Sequence, residues 1–196
     1  KLAVKSTLYP SINFGQMATC LSKAQCDEVL APVKKKIVPK MKVCRNTPKA
    51  LIHGPLKYGG LEFKHLHTTQ GIAHIKVLVE EGNRTTPTGM LIRNLAEHHV
   101  LEVGFPGDIF GQDANIVADF MTDSWVKNTL EFITDNAIVI QSEVGQLQLW
   151  RKEDSYLSVD FVNCHGGKPT RVQSESFSRC RKFMKVVTKS DLSEAN

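Results

Sequence analysis

Histidine and cysteine side chains that stand close together in the sequence could bind a metal or perform nucleophilic catalysis. Such pairs occur at three places: His65 and His67, His98 and His99, and Cys164 and His165. A structural zinc site needs two ligand pairs at a tight loop spacing such as C-x2-C, which does not occur in this sequence. Consecutive helical residues point about 100° apart, so His98 and His99 would not chelate one ion together. The sequence therefore predicts no metal site. A Cys164 nucleophile is disfavoured as well, because its base has to approach through the fold rather than along the chain.

Three pairs of adjacent acids could contribute to a magnesium site. The pairs are Asp27–Glu28, Glu80–Glu81 and Glu153–Asp154. Polymerases, nucleases and kinases gather such carboxylates from neighbouring strands or loops. Each pair here falls in or beside a predicted helix or turn, which favours a solvated surface role. The sequence also lacks the glycine-rich motifs of nucleotide-binding folds and the G-x-S-x-G motif of serine hydrolases, so the usual signatures of those enzymes are absent.

Positive charge is concentrated in the first part of the chain. The 196 residues have a formal net charge of +5. Residues 1–76 carry 13 Lys and Arg against 3 Asp and Glu, whereas residues 77–163 carry 5 against 14. Residues 34–49 hold the densest cluster, which contains no acid: Lys34, Lys35, Lys36, Lys40, Lys42, Arg45 and Lys49. Such a cluster is typical of a surface that binds a polyanion, and the same pattern also fits a solvated helix end.

The composition is that of a folded protein. Hydrophobic residues make up 41% of the chain and charged residues 23%, which excludes disorder as the dominant state. The sequence has no apolar run of about 18 residues, so we expect no membrane span. The first residues lack the apolar region of a secretory signal, which predicts an intracellular protein of the cytoplasm or nucleus. The five cysteines are odd in number and irregular in spacing, so we expect buried free thiols.

The basic cluster is predicted to lie at the end of a helix. Ser22 and Gln25 form a capping-box pattern, which predicts a helix from about residue 24 to residue 36. Pro32 is expected to interrupt this helix and Pro39 to end it. The lysines would then stand on a broken last turn and in the loop beyond, where their side chains can reach a ligand.

The rest of the chain is predicted to be mainly α, with a few short strands. Hydrophobic periodicity and capping residues predict helices over about 68–82, 86–104, 124–134 and 175–187. Hydrophobic residues that recur at every second position over parts of 137–150 predict a strand. The residues expected to face inwards on the helices are Ile72, Ile75, Val77, Leu78, Val79, Leu91, Leu95, His98, Trp125, Leu130, Phe132, Ile133, Phe177, Cys180, Phe183, Met184 and Val187.

Residues 47–82 carry a resemblance to a known family. Their sequence is TPKALIHGPLKYGGLEFKHLHTTQGIAHIKVLVEEG. It resembles the region just after the polymerase palm in retrotransposon-type reverse transcriptases, which are RNA-directed DNA polymerases. There a proline-bounded strand leads into a Gly-Gly-Leu turn and a long helix. Three later segments are also similar to that family, so the resemblance spans nearly the whole chain: WVKNTLEFITDNAIVI, LQLWRKEDSYL and FSRCRKFMKVVTKSDLSEAN.

The resemblance implies a thumb and connector that act without catalysing the reaction. Residues 1–104 would be a thumb-like helical region with a basic loop, and residues 105–196 a helical connector. The partners implied are an RNA–DNA or DNA duplex and the fingers, palm and possibly ribonuclease H domains of a parent protein. The palm's Tyr-x-Asp-Asp motif is absent from this sequence. No catalytic residue is therefore carried over, and we expect no cofactor in this chain, because Mg²⁺ would belong to the palm.

The candidate nucleic-acid contacts surround the paired glycines. The first group would position a duplex through its phosphates: Lys34, Lys35, Lys36, Lys40, Lys42, Arg45 and Lys49. His53, Lys57 and Lys64 form a second group. Gly59 and Gly60 would either bring main-chain amides to a phosphate or allow close helix packing, and packing is favoured. Tyr58 would either stack on a base or join the core.

Two departures from the family leave other functions open. Its turn reads Gly-Gly-Leu-Gly, whereas this chain has Glu62 after Leu61. Lys152–Glu153 also replaces Glu-Gly in a Leu-x-Arg-Glu-Gly-Asp-like motif. These changes would fit a decayed retroelement copy without activity. In a different class of function, the chain is a protein interaction module whose basic half docks on an acidic surface.

Overall fold

The computed structural model describes residues 6–7, 9–44, 46–140, 146–147 and 154–193. The described residues are predominantly helical, which confirms the predicted mainly α fold. The helices are α1 (Tyr9–Gln16), α2 (Lys23–Lys40), α3 (Lys49–His53), α4 (Leu66–Glu81), α5 (Pro87–Val103), α6 (Ala114–Val117), α7 (Trp125–Asp135), α8 (Leu157–Cys164), α9 (Arg171–Met184) and α10 (Lys189–Ser193). Strand β1 (Gly107–Asp108) pairs antiparallel with β2 (Gln146–Leu147).

The chain divides into two compact units, Lys1–Val77 and Leu78–Asn196. The division falls within α4 rather than at residue 104, where the sequence places the end of the first region. Helix α5 packs with α7 and α9, so residues 87–103 belong with the second unit. Residues 1–77 are therefore the part of the chain that contains the basic cluster and the paired glycines.

Helix α2 is longer than the sequence predicts. The capping box is present, since the Gln25 N–H donates to Ser22 Oγ at 3.2 Å and the Ser22 N–H donates to Gln25 Oε1 at 2.8 Å. The prediction that Pro32 interrupts the helix is wrong, because α2 continues to Lys40. A proline removes one hydrogen bond of the helix, and the burial of Cys26, Leu30 and Val38 along α2 offsets that loss.

The first unit has two apolar clusters around α2. Tyr9, Ile52 and Phe63 form one, with Val33 and Ile37 packed against it. The other cluster consists of Cys26, Leu30 and Leu66, with Ile12 and Leu21 beside them. The α2 face that carries Leu30, Val33 and Ile37 is thus buried, which leaves the opposite face to solvent.

Helix α4 begins at Leu66, two residues before the predicted cap, and its buried face is partly polar. The predicted inward side chains Ile72 and Val79 are 58% and 64% exposed, whereas Gln70 and His74 are buried. The Gln70 amide exchanges hydrogen bonds with the backbone of Leu21. His74 Nε2 donates to the carbonyl oxygens of Gln16 and Thr19 at 3.1 and 3.0 Å. Hydrogen bonding to the backbone, rather than hydrophobicity, therefore determines which side chains of this helix are buried. The inward prediction is right for Leu78, which is buried.

Helix α5 has the predicted ends but a different buried face. Thr86 caps it, Pro87 occupies its first turn, and Gly104 ends it with a φ of 65°. Leu91 and His98, which were predicted to face inwards, are exposed. The buried positions lie one step further along the helix: Ile92, Ala96, His99, Val100 and Val103.

Helix α7 agrees well with its sequence pattern. Ser124 caps it, and Leu130, Phe132 and Ile133 are buried as predicted. Within the predicted strand 137–150, the structure describes residues 137–140 and 146–147, and most of these are not in a strand. Residues 138–140 form no regular structure, and β2 spans only Gln146–Leu147. The remaining residues of that prediction, 141–145 and 148–150, lie outside the described ranges.

Helix α9 buries a face that only partly matches the predicted one, since Phe177 is half-buried and stacks on Phe161. It begins at Arg171 rather than near residue 175. Phe183 is 89% exposed, and Met184 and Cys180 also face solvent, so their predicted inward positions are wrong. The buried side chains are Ser174, Ser178 and Arg181. Arg181 donates to the carbonyl oxygens of Leu101 and Glu102, which lie at the end of α5, where carbonyl groups have no partner within the helix.

All five cysteines are free, as predicted, but only Cys26 is buried. Cys20, Cys44, Cys164 and Cys180 are exposed, so the expectation of buried thiols is wrong for these four. Among the described residues, no helix is both long enough and apolar enough to cross a bilayer.

Candidate nucleic-acid interface

The first three lysines of the basic cluster point in different directions because α2 is continuous. Successive residues of an α-helix are rotated by about 100°, so Lys34, Lys35 and Lys36 cannot contact one linear ligand together. Lys34 is half-buried, whereas Lys35 and Lys36 are exposed. Lys40 follows Lys36 by one helical turn and is exposed as well. The pair that shares a face is therefore Lys36 and Lys40.

Asp27 neutralises two of the predicted contacts. Its carboxylate accepts from Lys34 Nζ at 3.3 Å and from Lys49 Nζ at 3.2 Å. These hydrogen bonds, that from Lys49 first, hold the pKa of Asp27 below its ordinary value. The sequence contains a signal for the first pair, since Asp27 and Lys34 are two helical turns apart. Lys34 and Lys49 are therefore less available to a phosphate than the other lysines of the cluster.

Four lysines of the cluster remain exposed at the end of α2 and just after it: Lys35, Lys36, Lys40 and Lys42. None of them forms an ion pair with another described residue. Cations at a helix C-terminus also interact favourably with the helix dipole. Lys42 has a left-handed backbone with a φ of 60°. Arg45 lies outside the described residues. The first unit thus presents four uncompensated ammonium groups within eight residues of sequence.

The paired glycines serve close packing inside the turn. A Cβ on Gly60 would lie 2.1 Å from the carbonyl oxygen of Gly54. Gly59 has a φ of 79°, which favours glycine. Their amides donate to the carbonyl oxygens of Leu56 and Pro55, both at 3.0 Å. A phosphate could reach these amides only by replacing internal hydrogen bonds, so the geometry favours packing against the backbone after α3.

Glu62 occupies a backbone position that suits glycine. Its φ is 55°, in the left-handed region. This is the position at which the Gly-Gly-Leu-Gly pattern of the resembling family has its last glycine. The Glu62 N–H donates to the Gly54 carbonyl oxygen at 2.9 Å, which holds the turn in place. Glu62 therefore stands in place of a glycine, and its backbone is strained where that of glycine would not be. The turn itself is kept.

The residues of the second group of predicted contacts differ in how accessible they are to a ligand. Lys57 and Lys64 are exposed, and each ammonium lies near a tyrosine ring: Lys57 Nζ is 5.7 Å from the Tyr58 ring centroid, and Lys64 Nζ is 6.0 Å from that of Tyr9. His53 is half-buried and its Nδ1 donates to the Phe63 carbonyl oxygen at 2.8 Å. His53 therefore acts in packing, and the two lysines are the accessible members of this group.

The histidine and cysteine pairs of the sequence have different surroundings in the structure. No group of three or more His, Cys, Asp or Glu that could hold a metal occurs among the described residues. His165 Nδ1 donates to the Phe161 carbonyl oxygen at 2.9 Å, and its ring lies against the Phe161 ring. His65 packs at 5.2 Å from the ring of His53, and burial lowers the pKa of His65.

A buried carboxylate in the second unit was missed by sequence reasoning. Glu102 is 2% exposed and lies near the end of α5. Its Oε2 accepts from His99 Nδ1 at 2.7 Å and from the Thr122 N–H at 3.1 Å, while Oε1 accepts from Lys182. Burial opposes ionisation, but these hydrogen bonds outweigh it and hold the pKa of Glu102 at about 2. Both oxygens are occupied by groups of the protein, so Glu102 acts as a structural anchor.

Removing the Asp27 carboxylate is expected to strengthen binding of a polyanion. Asp27→Asn removes one negative charge and releases Lys34 and Lys49 from their ion pairs. Each lysine that gains a phosphate should steepen the dependence of log affinity on log salt by about 0.9 on duplex DNA. Titration of a labelled duplex at several salt concentrations measures both quantities. Glu28→Gln, which also removes a charge from α2, is the control, and equal effects of the two variants would contradict release of the lysines.

Comparison of the chain with protein-family models, with curated proteins and with solved structures found no match. The resemblance to retrotransposon-type reverse transcriptases therefore stays an expectation from the sequence segments quoted above.

Proposed function

We propose that residues 1–77 form a non-catalytic nucleic-acid-binding unit of a reverse transcriptase-like polypeptide. The unit would hold a template–primer duplex, RNA–DNA or DNA, through its backbone phosphates. The observation that carries the proposal is a set of exposed lysines, at the end of α2 and just after it, that form no ion pair with any described residue: Lys35, Lys36, Lys40 and Lys42. Catalysis and Mg²⁺ binding would belong to the fingers and palm of the parent protein, in the cytoplasm or nucleus.

Phosphate contacts explain these residues better than base recognition does. Lysine is a flexible point charge that binds phosphates without reading sequence. Lys36 and Lys40 share a helical face, and like charges one turn apart destabilise an isolated helix. A ligand with closely spaced negative charges would relieve that repulsion. Four such contacts would make log affinity fall with log salt at a slope of roughly −3 to −4.

Charge reversal on the shared face is expected to weaken duplex binding at least about tenfold at low salt and to reduce the salt slope by about 2. The variant is Lys36→Glu/Lys40→Glu, tested by fluorescence anisotropy with two RNA–DNA duplexes of unrelated sequence. Lys168→Glu/Arg179→Glu makes the same change of net charge at exposed positions of the second unit and is the matched control. Circular dichroism checks that each variant is folded.

The test also separates the proposal from a protein interaction module. Binding of both duplexes with similar affinity, lost in the α2 variant and kept in the control, supports phosphate contacts. If neither duplex binds at low salt, the basic surface does not serve nucleic acid, and docking to an acidic protein surface becomes the better explanation. Residues 77–163, with 14 acids against 5 cations, contain suitable charge for such docking in a second copy of the chain.

A further inference from the structure

The turn before the paired glycines presents an aromatic ring to solvent. Tyr58 is 75% exposed and ends the 3-10 turn Leu56–Tyr58. The sequence left its role open between a core residue and a base-stacking residue. The exposure rules out the core, where an aromatic ring would contribute its large apolar area to stability. The ring therefore stands where a ligand can reach it.

The turn that carries this ring is held by backbone hydrogen bonds. The amides of Tyr58, Gly59 and Gly60 donate within the turn at 3.0 to 3.1 Å. The residues that follow are hydrogen-bonded to α3: the Leu61 N–H donates to the Leu51 carbonyl oxygen, and the Phe63 N–H donates to the Ile52 carbonyl oxygen. A ligand that stacks on Tyr58 would have little backbone to order on binding, and such preorganisation favours affinity.

Charge indicates which ligand suits the ring. The Lys57 ammonium lies over one face of the Tyr58 ring, 5.7 Å from its centroid, and the first unit has a large excess of cations. Such a ring complements a nucleotide, because the base can stack on the other face while the phosphate meets the ammonium. A base inside a duplex is already stacked on both faces. An unpaired base is therefore the occupant that fits.

We propose that Tyr58 is a stacking platform for an unpaired base in a single-stranded extension of the nucleic acid, with Lys57 contacting an adjacent phosphate. This inference rests on the proposed function and assigns to the same unit a second, separate contact. The α2 lysines would hold the duplex, and Tyr58 would engage the strand that extends from it.

The test compares a blunt RNA–DNA duplex with the same duplex carrying an extension of about five unpaired nucleotides. The extension is expected to tighten binding of the full chain, and Tyr58→Ala should weaken binding of the extended duplex about fivefold or more while leaving the blunt duplex unchanged. Tyr58→Phe keeps the ring and should retain the affinity. A fluorescent base analogue in the extension should be quenched by the wild-type protein and not by Tyr58→Ala. RNA and DNA extensions are tested separately.

Leu56→Ala is the matched control, because Leu56 is also exposed in the same turn. It should leave both affinities unchanged. If the extension adds no affinity, or if Tyr58→Ala and Leu56→Ala act alike, the stacking platform is wrong, even when the blunt duplex binds through α2. If neither nucleic acid binds, both proposals are overturned.

Discussion

Glu102→Gln is expected to lower the free energy of unfolding of the second unit by about 3 kcal/mol at pH 7. The carboxylate is buried and receives hydrogen bonds from His99, Thr122 and Lys182. Its pKa falls from 4.5 to about 2 on folding, and each pH unit of difference corresponds to about 1.4 kcal/mol. Removing one partner from a buried charged cluster is among the most destabilising single changes.

The pH dependence of this effect has a defined sign. Because the pKa is lower in the folded state, the Glu102 contribution is complete above about pH 4.5 and is lost as the pH falls towards 2. The difference between wild type and Glu102→Gln should shrink over the same interval. Urea unfolding followed by tryptophan fluorescence reports on this unit, since both tryptophans lie in it. Glu97→Gln, at an exposed position of α5, is the control. A constant difference from pH 7 to pH 2 would contradict a role for the ionised carboxylate.

Gly60→Ala is expected to destabilise the turn of the first unit by about 3 kcal/mol. The added Cβ would lie 2.1 Å from the Gly54 carbonyl oxygen, and the nearest atoms all belong to the Gly54 backbone, so no flexible side chain can move away. Separation of the two segments would break the hydrogen bonds that Leu61 and Phe63 donate to the α3 region. Hydrogen exchange followed by mass spectrometry should show faster exchange, by about 100-fold, in peptides covering residues 49–66.

The control for this prediction is another glycine-to-alanine change in the same unit. Gly15 lies in α1, and a Cβ there would meet nothing within 4 Å. Gly15→Ala is expected to stabilise by about 0.4–1 kcal/mol, because alanine has fewer unfolded conformations to lose. Unchanged exchange around residue 60 in Gly60→Ala would show that the turn can open at little cost, and would contradict close packing at Gly60.

Three helix starts and one helix end could be predicted from the sequence, because capping depends on neighbouring residues. Ser22, Thr86 and Ser124 cap helices where their patterns indicate, and Gly104 ends α5. Pro32 shows the limit of local rules, because the packing of α2 along its length offsets a missing hydrogen bond.

The candidate site was predictable in composition but not in arrangement. The excess of lysine before the glycines is a property of the sequence. The pairing of Lys49 with Asp27, which are 22 residues apart, depends on how α3 approaches α2. The exposure of Tyr58 likewise depends on which residues of its turn pack against α2, and a short loop carries no periodicity from which to read this.

The helical class, the starts of three helices and the position of the basic cluster follow from the local sequence, because propensity, capping and charge act between near neighbours. Which helix faces are buried depends on contacts between residues far apart in the sequence. Helices α4 and α9 bury Gln70, His74 and Arg181 while Ile72 and Phe183 face solvent. Hydrophobicity predicts the reverse, but these polar groups satisfy backbone carbonyls that lie far away in sequence. Such pairing is energetically necessary in an interior, and it exists only once the chain has folded.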